Sequence, residues 1–68
     1  MKGFIEVTTL KSNSLALINI NHIISVNESI EDNESPSSLM YINGTDAGYL
    51  IVREDYMSVL KKIQAAME

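Results

Sequence analysis

The stretch Leu39-Met40-Tyr41-Ile42-Asn43-Gly44-Thr45-Asp46-Ala47-Gly48-Tyr49-Leu50-Ile51-Val52-Arg53-Glu54-Asp55-Tyr56 decides the fold. Two apolar runs, Leu39 to Ile42 and Tyr49 to Val52, flank Asn43-Gly44-Thr45-Asp46. Asn and Gly tolerate positive φ, so the interval reads as a hairpin turn between two antiparallel strands. After Val52 the period changes. Tyr56, Val59, Leu60, Ile63 and Met67 fall at helical spacing and form one stripe. Asp55 stands where an N-cap belongs, and Glu54 and Asp55 suit the positive end of the helix dipole.

Toward the N-terminus the same logic gives three more strands. Phe4 to Leu10 alternates around Glu6 and is rich in β-branched residues. Lys11-Ser12-Asn13-Ser14 is a polar turn, and Leu15 to Ile20 is its partner strand. Asn19-Ile20-Asn21-His22 reads as a short turn or a single helical turn, and Ile23 to Asn27 as a third strand. Residues Ser29 to Ser38 are rich in Ser, Glu and Asn and hold the only Pro, which predicts a long mobile hairpin loop. The expectation is α+β: one domain over 1–68, a five-stranded antiparallel β-meander, and a C-terminal α-helix over 55–67. A sheet curled toward a small barrel is the variant of the same reading.

Polar residues set the parity of each strand, because neighbouring side chains point to opposite faces. Glu6, Asn19, Ser25, Asn27, Asn43 and Arg53 outward place Ile5, Val7, Ala16, Ile18, Ile20, Ile24, Val26, Met40, Ile42, Leu50 and Val52 inward. This set matches the helix stripe. Met40, Met57 and Met67 are expected to fill gaps in the core. The same parity fills the other face with Phe4, Leu15, Leu17, Ile23, Leu39, Tyr41, Tyr49 and Ile51. An exposed sheet face should be polar. An apolar one marks a partner, unless the sheet curls and takes some of these residues inside.

Length and charge narrow the function classes. Sixty-eight residues make one small domain, and a core below ~70–80 residues supplies only a few kcal/mol. No cysteine is present, so disulfide staples, thiolate metal sites and thiol nucleophiles are excluded. Self-association is then the expected remedy for a marginal core. The net charge of −4 is local. Glu28, Glu31, Asp32 and Glu34 lie within seven residues, and the remaining five acids balance five bases. A near-neutral domain with an acidic loop lacks the basic surplus that phosphates require. The residues Met1 to Val7 lack the long apolar core of a signal peptide, and no run approaches the ~18 apolar residues of a membrane span. A cytoplasmic setting follows as an expectation.

Chemistry-bearing patterns are sparse. His22 is the lone histidine and reads as a surface turn residue. The 28–34 acids lack the alternating oxygens and central Gly of a calcium loop, and read as solvated or as docking on a basic partner. The three Gly residues are dispersed and form no phosphate loop. No catalytic residue, metal or cofactor is expected.

Phe4-Ile5-Glu6-Val7-Thr8, Ile20, Ile23-Ile24, Asn43-Gly44 and Val52-Arg53-Glu54-Asp55 before a short helix together resemble small proteins of the FlbD type. These are linked to bacterial flagellar function. The resemblance spans most of the chain and implies a β-meander plus helix in a bacterial or phage cytoplasm, with no catalytic residues. The Ser29–Ser38 stretch is longer than that pattern has.

The function expected is a non-enzymatic interaction or regulatory module, forming a homo-oligomer or docking on a larger protein. Two alternatives remain. One is an RNA- or single-strand-binding domain stacking bases on Tyr41 and Tyr49. The other is an acidic phage-type inhibitor that docks through Glu28, Glu31, Asp32 and Glu34.

Overall fold

The computed structural model describes residues 2–29 and 36–68. Its elements run β1 (Phe4–Thr8), β2 (Leu15–Asn19), a 3-10 turn (Ile20–His22), β3 (Ile23–Ser29), β4 (Ser37–Ile42), β5 (Tyr49–Val52) and α1 (Tyr56–Met67). The fold is α+β, with antiparallel strands and one C-terminal helix.

The strands do not form a single meander. They split into a two-stranded sheet, β1-β2, and a three-stranded sheet, β3-β4-β5. The seam lies between the ends of β1 and β5. Thr9 bridges Val52 in antiparallel sense. Leu10 N–H donates to Ile51 O at 2.9 Å, and Arg53 N–H donates to Thr8 O at 2.8 Å. Tracing these pairings from β2 through β1, β5 and β4 to β3 gives β2 and β3 the same sense. They cannot be the antiparallel neighbours that a meander requires. The 3-10 turn is therefore a corner carrying the chain from one sheet to the other. Asn19 caps it, its side chain accepting from Asn21 N–H at 2.9 Å.

One core serves both sheets and the helix. Ile5 and Val7 from β1, Met40 and Ile42 from β4, Val52 from β5, and Val59 and Ala66 from α1 are buried together. Ala16, Ile18, Ile20, Ile23, Val26, Leu50 and Ile63 pack around them. Full burial of an aliphatic side chain contributes about 1.5–3 kcal/mol. Val7, Met40, Val52 and Val59 therefore dominate the packing.

Three expectations need correction. First, β3 inverts at its start. Its register on β4 slips between Ile23 and Ser25, so Ile23 pairs with Ile42 and packs on the core while Ile24 is 64% exposed. An extra residue in one strand shifts the side chains on one side of it to the opposite face. Second, the helix stripe is rotated. Ala66 is buried and Met67 is exposed. The Ala66 carbonyl accepts from Gly3 N–H at 2.9 Å, drawing that side of the helix end onto the start of β1. Met57 is exposed too, and of the three methionines expected inside only Met40 is buried. Third, strands claim both ends of the expected loop, since β3 reaches Ser29 and β4 starts at Ser37. Ser37 and Ser38 are buried there. Residues 30–35 lie outside the described residues.

Candidate functional site: the outward faces of the two sheets

The outward surface begins with cross-strand pairs. On the β1-β2 sheet, Phe4 faces Asn19, Glu6 faces Leu17 and Thr8 faces Leu15. Leu15 is 69% exposed and Leu17 54%, while Phe4 is half-buried. On the other sheet, Ser25, Tyr41 and Tyr49 form one row and Asn27, Leu39 and Ile51 the next. Tyr41 and Tyr49 are direct cross-strand partners, each a little under half exposed. Leu39 and Ile51 are half-buried. The face expected from parity is thus divided between two sheets, and Ile23 leaves it for the core. Ile24 is an added apolar residue on the surface. The Ile23-Ile24 doublet was its only signal in the sequence, because two adjacent apolar residues of one strand cannot both face in.

A groove marks the seam. Thr9, Leu10, Lys11 and Ser12 form one wall, and Ala47, Tyr49, Leu50 and Ile51 the other. Leu10 extends the apolar surface of Tyr49 and Ile51 across the joint between the sheets.

The segment Val52-Arg53-Glu54-Asp55 is consumed by structure. Val52 is fully buried and bridges Thr9. Arg53 Nε donates to Asn13 Oδ1 at 2.8 Å, tying β5 to the β1-β2 turn, where Asn13 has φ 54°. The Glu54 carboxylate accepts Thr8 N–H at 2.9 and 3.1 Å and the Thr8 hydroxyl at 3.1 Å. A strand neighbour would satisfy that N–H, but β5 gives way to the helix at this point. The carboxylate substitutes for the missing carbonyl. The Glu54 carbonyl in turn accepts the hydroxyl of buried Ser38 at 2.8 Å. Asp55 caps α1, accepting Ser58 N–H at 3.1 Å. The Ser58 side chain, and then its N–H, hold the Asp55 carboxyl below its ordinary pKa.

Other candidate residues sit apart from this surface. His22 is exposed at the corner between the sheets. Glu28 is exposed near the end of β3, and Glu31, Asp32 and Glu34 lie outside the described residues. Among the described residues no three His, Asp or Glu side chains cluster to hold a metal ion, and no helix is long and apolar enough to cross a membrane. Parity reasoning missed Glu54 and Ser38. Even-numbered Met40 and Ile42 face in, and carrying that parity back two residues would have placed Ser38 inside.

No family model, no curated protein and no solved structure matches the chain.

Proposed function

We propose that this chain is a small non-enzymatic interaction module that associates with itself through apolar sheet surface. One observation carries the reading. Leu15, Leu17, Ile24, Tyr41 and Tyr49 all belong to strands, and each is at least 44% exposed. Apolar side chains gathered on strands rather than scattered over loops mark interaction surface. The bonding of Glu54 and Asp55 supports a non-catalytic role, because both carboxylates are engaged with backbone N–H groups. The small core supports self-association, since a second copy would extend the apolar contact.

Sedimentation equilibrium across a wide concentration range tests the reading. The expected result is a mass above that of one chain, rising with concentration. A single-chain mass throughout would overturn it.

A further inference from the structure

The hydrogen-bond phase of β2 shows where a second copy fits. Thr9 N–H donates to Ser14 O at 2.8 Å, and Ile20 N–H donates to Gly3 O at 3.0 Å. Both pairs continue the register that sets Val7 against Ala16 and Ile5 against Ile18. Bonded and non-bonded positions alternate in an antiparallel pair. The main chain of Ala16 and Ile18 therefore bonds to β1, and that of Leu15 and Leu17 points the other way. Among the described residues no strand lies on that side, and β1 is the one neighbour of β2 in its sheet. Leu15 and Leu17 thus present free backbone groups along the edge and largely exposed apolar side chains on the outer face.

Edges of this kind are normally guarded by Lys, Pro, a bulge or an inward charge. β2, Leu-Ala-Leu-Ile-Asn, has none of these. No Asp, Glu, Lys or Arg occurs from Ser12 to Asn27. The opposite edge, β3, carries the bulge at Ile23/Ser25 and the exposed Glu28.

We infer that two copies of this chain join edge to edge through β2, antiparallel about a two-fold axis at Leu17. The inference rests on the self-association reading and gives it a geometry. With Leu17 opposite Leu17 of the second copy, Leu15 falls opposite Asn19. The outward N–H and C=O groups of each edge then meet their complements on the other. A two-fold contact uses the same patch twice, so one unguarded strand suffices. Local charge does not oppose this occupant. Two chains of net charge −4 repel in general, but β2 and its flanks are uncharged. The nearest acid on this face is Glu6, opposite Leu17 on β1. In the joined sheet the two Glu6 residues stand three strand spacings apart, about 14 Å. That exceeds the Debye length of ~8 Å at physiological ionic strength.

Amide hydrogen exchange, run beside sedimentation velocity at low and high protein concentration, tests the geometry. Ala16 and Ile18 amides are expected to be protected at both concentrations. Leu15 and Leu17 amides should slow at least tenfold only where the chain is associated. Leu17→Lys should give a single-chain mass with native circular dichroism, whereas Met57→Lys, on the exposed side of α1 and away from both sheet faces, should keep the wild-type mass. Free exchange at Leu15 and Leu17 in the associated state would overturn the β2 contact and leave self-association standing, as would a Leu17→Lys protein that still associates. A wild-type chain of single mass at every concentration would overturn both. If Leu17→Lys fails to fold, the wild-type exchange pattern decides alone.

Discussion

At the scale of single residues, Glu54 and Asp55 stand side by side and do unlike work. The Glu54 carboxylate reaches back 46 residues to hold Thr8 where β5 leaves the sheet. Glu54→Ala strands a half-buried N–H and is expected to cost about 2 kcal/mol, read as a lower denaturant midpoint. Glu54→Gln should recover part of that loss, because its amide oxygen still accepts. Ser38→Ala removes one neutral hydrogen bond to the Glu54 carbonyl and should cost about 1 kcal/mol. Asp55 predicts a pH effect. Its folded pKa is depressed, so its stabilisation is complete above the unfolded pKa, about 4, and fades as pH falls through the folded value. Asp55→Ala should lower the thermal midpoint at pH 7, with a gap to wild type that closes in acid. A gap that did not narrow as the pH fell below the unfolded pKa would refute the capping role. Glu54's link to Thr8 was invisible in the sequence because the dipole argument looks only at neighbouring residues, and the bond is set by where β1 and β5 meet. Asp55 was legible because a cap acts within one turn.

At the scale of elements, period and alternation revealed the helix and the five strands, and local chemistry revealed the turns. Parity was legible wherever one polar residue anchored a strand without interruption. It failed at Ile23-Ile24, where the bulge breaks the alternation. The failure predicts unequal losses at the two positions. Ile24→Thr should change stability by less than about 0.5 kcal/mol, whereas Ile23→Ala should cost about 2 kcal/mol. Equilibrium urea unfolding of the two variants checks the pair. Equal losses, or a larger loss at Ile24, would restore uninterrupted alternation and remove the bulge. In the helix the corresponding pair is Ala66 and Met67. Only the second should accept Lys without loss, because the Ala66 carbonyl is held by Gly3 and its side chain is buried.

At the scale of the whole molecule, the split into two sheets was not legible from local signals. It depends on Thr9 meeting Val52, a pairing that no neighbouring residues encode. Once that pairing forms, β2 and β3 become the two outer edges, and the corner between them puts the unguarded strand on the outside. The consequence is thermodynamic. A fold stabilised by a second copy has an unfolding midpoint that depends on protein concentration. For a dimer, each tenfold increase should raise the apparent unfolding free energy by about 1.4 kcal/mol per dimer. Differential scanning calorimetry over two decades of concentration should then show the wild-type midpoint climbing steadily. Leu17→Lys should unfold at a midpoint independent of concentration, close to wild type at its most dilute. Ser38→Ala should lie below wild type but climb with the same slope, because it weakens the chain without touching the edge. A wild-type midpoint that stays flat would mean that the single core of Val7, Met40, Val52 and Val59 holds the fold unaided, and that shortness alone does not compel this chain to pair.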